Sequence, residues 1–193
     1  MADQLTRRPG GRGARERIER AAAELFYRNG IHATGVELIA HEANVSKRTL
    51  YQHFPSKNDL IDTYLRAMDA AGGSPSERRL DDPALSARDR LLAIFSMSRR
   101  EVMRGCPFHN AAVESAGSLH STDEIVRAHK QNFAHRLAAV AKEAGAADPE
   151  QLGRQLAVLF EGATAMATSL NDTAPVVHAR AAAATLIDAS LKS

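Results

Sequence analysis

Apolar residues along this chain recur at three- and four-residue intervals and nowhere alternate with polar ones, so the elements they predict are helices. Ile18, Ala21, Ala22, Leu25 and Phe26 form one stripe of a helix over about 12–29, which Gly30 is expected to stop in the left-handed conformation of a C-cap. A second helix is predicted to open at Thr34, where Thr34 and Glu37 have the spacing of a capping box, with Val36, Ile39, Ala40 and Ala43 facing inward. Ala43-Asn44-Val45 is a break, because Asn tolerates the positive φ of a tight turn. Ser46 then caps a short third helix from Lys47 to about His53. Pro55 ends it, since Phe54 before a proline is pushed out of the helical region. Ser56 caps a fourth helix through Ile61, Tyr64, Leu65 and Met68 to Ala71.

Gly72-Gly73-Ser74-Pro75 reads as a loop that continues to Asp82-Pro83. Beyond it, helices are expected near 86–104, 108–117, 122–145, 149–170 and 175–191. Asp148-Pro149-Glu150-Gln151 is a strong start signal, with an Asp cap, Pro at the first helical position and Gln at the third. The helix over 149–170 carries Leu152, Leu156, Leu159, Phe160 and Ala163 on one face, while Val158, Ala165 and Met166 lie elsewhere around it. A helix apolar nearly all round must be covered on more than one side, either within its own subunit or by a second copy. The last helix offers Ala181 to Ala184, Leu186, Ile187 and Leu191, and its small alanines allow close approach.

Composition narrows the function classes. The 193 residues are 44% hydrophobic, enough to bury a core, and rich in Ala over Val, Ile and aromatics, which favours an all-α fold. The net charge of +2 is uneven. Residues 1–57 hold ten Lys/Arg against six Asp/Glu, and the remainder is mildly acidic. A basic first third suggests a nucleic-acid contact there, although a merely solvated surface would look the same. The polar, Arg-rich start has no apolar signal core, and no uninterrupted apolar run is long enough to cross a membrane. The single cysteine, Cys106, rules out an internal disulfide. The expected location is the cytoplasm, and no membrane partner is expected.

The informative stretch is 34–57. Two short helices around a sharp turn make a helix-turn-helix, with Ala40 at the crossing and Val45 and Leu50 anchoring the second helix. From Asn44 to Lys57 there are three cationic residues and no acidic one. Ser46, Lys47, Arg48, Thr49, Tyr51 and His53 lie on or beside the second helix, several with donors suited to phosphates or base edges. The N-terminal end of such a helix meets the bases in a major groove, which makes Arg48 the candidate guanine reader. Lys47, Tyr51 and Lys57 suit phosphates, and Thr34 at a helix N-terminus is a further phosphate candidate. The bland alternative is a packing motif with no DNA role.

Thr34, Val36, Ile39-Ala40, Val45-Ser46-Lys47, Thr49-Leu50-Tyr51, His53-Phe54 and Ser56-Lys57 resemble the DNA-binding head of the tetracycline-repressor (TetR) family. Upstream, Ile18, Ala21-Ala22, Leu25-Phe26 and Gly30 fit the same pattern, so the resemblance spans roughly 14–60. Asn44 stands where that family frequently has Gly. The resemblance implies an Ω-shaped homodimer of about nine helices per subunit, with a three-helix head on a body that binds a small effector. It further implies that most members repress, and that ligand binding spreads the two heads apart. The division expected is a flexible basic arm at 1–11, a helix-turn-helix domain at 12–60, and an effector-binding and dimerisation domain at 61–193.

In the body, two helices from each subunit would form a four-helix dimer interface, as in TetR-like proteins, through Leu152, Leu156, Leu159, Phe160, Ala163, Ala183, Leu186 and Ile187. The alternative is that both helices are subunit core. The effector pocket is expected between about residues 64 and 170, with Phe95, Met103, Cys106, Phe108, His109, Glu114, His129, Phe133 and Met166 as candidate lining. His129 shares a stripe with Val126, Phe133, Leu137 and Val140, so it faces inward as either a ligand contact or a hydrogen-bonded core histidine. Glu161, in an apolar helix, is either at a pocket edge or paired across the dimer. Cys106, between Gly and Pro, raises the alternative of a redox-sensing regulator with the same DNA head. His109, Glu114 and His129 match no metal-binding spacing, and no metal or other cofactor is called for. No nucleophile triad, phosphate-binding glycine loop or paired-carboxylate signature points to an enzyme. The expected partners are a double-stranded DNA operator, a small-molecule effector and a second copy of the chain.

Overall fold

The computed structural model describes residues 13–99, 104–115 and 120–191. The arm at 1–11 and Met103 lie outside the described residues. Among those described, regular structure is entirely helical: α1 (Ala14–Asn29), α2 (Val36–Glu42), α3 (Lys47–His53), α4 (Lys57–Ala70), the single turn α5 (Pro75–Arg78), α6 (Ala87–Ala93), α7 (Pro107–Ser115), α8 (His120–Glu143), α9 (Pro149–Leu170) and α10 (Ala174–Leu191). A 3-10 turn, Arg79–Asp81, follows α5. No described helix is long and apolar enough to cross a membrane.

Most boundaries follow the predicted stop and start signals. Asn44 has φ 51°, Ser46 Oγ accepts from the Thr49 amide at 3.0 Å, and Phe54 sits extended before Pro55. Ser56 caps α4, and Asp148 caps α9 with Pro149 in its first turn. Four expectations need correction. Gly30 has positive φ but ψ 162°, an extended conformation open essentially to glycine alone rather than the left-handed helical one. The Thr34–Glu37 capping box does not form. α2 starts after Gly35, and Thr34 turns inward, donating its hydroxyl to the Gly30 carbonyl at 2.7 Å. The helix expected over 86–104 leaves its regular course after Ala93. There the bonding tightens to three-residue steps, Phe95 N to Leu92 O and Ser96 N to Ala93 O, and adjacent Ile94 and Phe95 are both buried. Within the predicted 72–83 loop, Ser74 and Glu77 make a complete capping box that opens the single turn α5.

Two apolar cores organise the molecule. One joins α1–α3 to α4, and also takes in Cys106, Phe108 and Ala111 of the α7 segment and Val126 of α8. The other fills the body between α6, α8, α9 and α10, around Leu91, Phe133, Leu137, Leu156, Phe160 and Ile187. The helix-turn-helix head is therefore not packed as a separate bead. Its hydrophobic interior continues through α4 into α7 and α8.

Candidate nucleic-acid interface

The α2–turn–α3 unit is held from below. Val45, Leu50 and Phe54 bury the inner face of α3, and the Val45 amide closes the turn on the Ala40 carbonyl at 2.9 Å. α1 reaches across to secure both ends. Arg17 Nε donates to the Ala43 carbonyl at 3.0 Å, and the Arg15 guanidinium lies 4.5 Å from the centre of the Phe54 ring. What remains outside is a polar, cationic face. Lys47, Arg48, Tyr51 and Gln52 are exposed, with Thr49 and His53 half-buried beside them. No acidic residue of α3 interrupts this face.

The structure assigns these side chains unequal freedom. Lys47 is ion-paired with Glu37 of α2, and this contact raises the ammonium pKa and lowers that of the carboxyl. The Ser46 and Thr49 hydroxyls lie 2.8 Å apart and are engaged in the cap. Lys57, half-buried at the start of α4, has Nζ 3.5 Å from the His32 carbonyl, and burial lowers its pKa despite the nearby Glu114 carboxylate. Thr34 is fully buried with its hydroxyl spent on backbone carbonyls, so it braces the fold and cannot reach a phosphate.

The expected effector lining is scattered. Phe95 and Phe133 both pack on Phe160 in the body core, at ring separations of 5.9 and 5.4 Å. Phe108 stacks on His129 with ring centres 3.4 Å apart. His129 is a hydrogen-bonded core histidine, with Nδ1 2.7 Å from Asp69 Oδ1 and Nε2 3.1 Å from Glu77 Oε1. Burial alone would raise the Glu77 pKa, but the contacts with His129 and the Ser74 amide hold it below the usual carboxylate range. Cys106 is buried with Lys130 Nζ 3.1 Å from its sulfur, and Lys130 is in turn ion-paired with Glu161. Burial pushes the Cys106 thiol up to about 11. His109 is half-buried on α7, Glu114 contacts the head, and Met166 is 57% exposed on the outside of α9. The described residues thus bring no closed pocket together around that set. Periodicity along α8 indicated that His129 points inward, but not that Asp69 and Glu77 await it, because those residues come from other elements.

The α9–α10 surface also differs from expectation. Leu152, Leu156, Phe160, Ala163, Ala183 and Ile187 are buried inside the subunit, so they form its own core rather than its outer face. Leu159 and Leu186 are half-buried. The open apolar surface is the other side of the same helices, where Val158, Met166, Leu170 and Val177 are 57–74% exposed. A groove of about 590 Å³ runs there between Leu159, Gly162, Met166, Pro175, His178 and Ala182.

Residues 18–64 match the family described as "Bacterial regulatory proteins, tetR family", and residues 87–183 match "Tetracyclin repressor-like, C-terminal domain". Among curated proteins, the HTH-type transcriptional activator FasR of Mycolicibacterium smegmatis is 55% identical over 40 residues, covering 21% of this chain and 18% of that protein. The HTH-type transcriptional regulator UidR of Escherichia coli K12 is 33% identical over 105 residues, covering 54% and 42%. The chain thus aligns with less than half the length of these relatives. Among solved structures, the TetR transcriptional regulator sav143 of Streptomyces avermitilis is 32% identical with a TM-score of 0.74, covering 92% of this chain and 97% of that one. SCO4454, a TetR-family regulator of Streptomyces coelicolor, is 29% identical with a TM-score of 0.72, covering 92% and 96%.

Proposed function

The chain belongs to the TetR family of bacterial helix-turn-helix transcription regulators, and from that premise we propose that it is a ligand-responsive repressor, released from a palindromic operator by a small effector. The observation that carries the DNA half of this reading is the exposed cationic face of α3, with Arg48 on its first turn and its inner side locked by Val45, Leu50 and Phe54. A rigid, capped helix presents its leading side chains to base edges, while Lys47 and Lys57 at its margins meet phosphates. Lys47 must trade Glu37 for a phosphate to do so.

Two such heads imply a two-fold dimer. The open apolar strip on α9 and α10 supports it: a contiguous face of Val158, Gly162, Met166, Leu170, Pro175 and Ala182 is what a second copy would cover in an isologous four-helix contact. The operator is then a near-palindrome, with half-sites about one helical turn apart or more. Effector action is a population shift, in which the ligand binds better to the conformation whose heads are wrongly spaced; a coupling of ~1–3 kcal/mol changes occupancy about 5–150-fold. The buried, protonated state of Cys106 favours this mechanism over one driven by thiol oxidation, because the thiolate is the reactive species.

The test is selection of duplexes from a random-oligonucleotide pool by the purified full chain at low ionic strength. Recovery of an inverted repeat supports the reading. Recovery of no duplex overturns it, and recovery of an unrepeated site overturns the two-fold arrangement.

A further inference from the structure

The head and body meet at a contact that DNA recognition alone does not call for. α7 belongs to the body by chain order, yet its last turn reaches the loop between α1 and α2. There Glu114 Oε2 accepts from the His32 amide at 2.8 Å, and the Glu114 carbonyl contacts the His32 ring. Glycine at position 30 leaves the carboxylate room. A Cβ built there would stand 2.8 Å from Glu114 Oε1, and the φ of 88° already disfavours any side chain. The same loop is closed on itself by the Thr34 hydroxyl on the Gly30 carbonyl and is met from α4 by Lys57 Nζ, 3.5 Å from the His32 carbonyl. Lys57 is the phosphate candidate at the start of α4. One short loop therefore bonds to Glu114 through its amide side and to Lys57 through its carbonyl side.

At its other end α7 starts in the buried polar cluster, where Phe108 stacks on His129 and the preceding Cys106 lies beside Lys130. A nine-residue helix thus runs from the buried cluster on α8 to the loop whose His32 carbonyl meets Lys57. We propose that Glu114 is a positioning residue for DNA binding: it touches no nucleic acid, but holds the Gly30–Thr34 loop, and through it Lys57 and the head, in the binding orientation. This rests on the DNA-binding reading above.

The sign of the effect separates this role from plain electrostatics. Glu114 is an acid near a phosphate-facing lysine, so removing its charge alone should tighten DNA binding. Loss of a positioning contact should weaken it. The experiment uses the full chain and a duplex selected by the unaltered protein, with affinity measured over a range of salt and hydrogen exchange followed at the His32 amide. Glu114→Ala should bind about tenfold more weakly, as expected for losing a charge-assisted hydrogen bond. Its salt slope should be unchanged, and the His32 amide should exchange faster. Glu114→Gln keeps an acceptor oxygen and should stay within about twofold of the unaltered protein, by the same reckoning. If the alanine variant does not fold, Glu114→Leu, which fills the space without an acceptor, takes its place. Alanine or leucine variants that bind as tightly as the unaltered protein, or more tightly, overturn the role. So does a glutamine variant as weak as alanine. A chain that selects no duplex at all sinks the DNA-binding reading instead.

Discussion

Gly153 of α9 lies against the backbone of α8 at Ala138, so that a Cβ at position 153 would come within 2.7 Å of the Ala138 nitrogen and 2.9 Å of its Cα. The two longest helices of the body meet backbone to backbone at this point, and the core around Leu137, Leu156 and Phe160 depends on that approach. Gly153 is helical, so the cost of adding a methyl group is steric rather than conformational, and helix propensity would otherwise favour alanine. Gly153→Ala should therefore lower stability by ~1–3 kcal/mol through overpacking. Chemical denaturation checks this, and a variant as stable as the parent would show that α8 and α9 are not seated as described.

Arg48 and Glu37 should move DNA affinity in opposite directions. Arg48→Ala should cost ~1–3 kcal/mol and relax preference at one base pair per half-site. Glu37→Gln should tighten binding and steepen the salt dependence, because it releases Lys47 from its ion pair for a phosphate. Titration of a selected duplex at several salt concentrations reads both. An unchanged base preference in the first variant, or an unchanged slope in the second, would contradict the assignment concerned.

Opposite faces of α9 should answer differently to the same kind of change. Met166→Glu places a charge on the exposed strip and should shift a dimer toward monomer in light scattering, with helicity retained. Leu156→Glu buries a charge in the subunit core and should unfold the chain. A Met166→Glu protein with the parent's mass would move the dimer contact elsewhere.

Cys106 should behave as an inert thiol. Its pKa in the folded chain is raised to about 11 from an ordinary 9.0, so the neutral form is favoured by folding. The associated stability is fully present below 9.0 and is lost as pH rises through about 11. Alkylation at mildly alkaline pH should be slow in the folded protein and fast after denaturation, with Cys106→Ser as the control. Rapid labelling of the folded chain would overturn this and reopen oxidation as the signal.

Local chemistry was legible along the chain. Ser46, Asn44, Pro55 and Asp148 announce their caps and turns because each acts on backbone within three residues of itself, and the stripe from Ile18 to Phe26 marks its buried side by spacing alone. The cationic outer face of α3 was readable for the same reason. Thr34 misled because its capping spacing is also local, yet a tertiary turn offered its hydroxyl the Gly30 and Leu25 carbonyls instead.

What only the tertiary structure decided is which of several equivalent choices wins. A helix apolar on most sides, such as α9, does not say which side its own subunit covers; the approach of α8 at Gly153 settles that in favour of Leu156 and Phe160 and leaves Met166 outside. His129 lies far along the chain from Asp69 and Glu77, as Glu114 does from Gly30 and His32, and each meets its partners only when helices cross. Periodicity carries the direction in which a side chain points but not the identity of what it meets, because that depends on how separate helices pack.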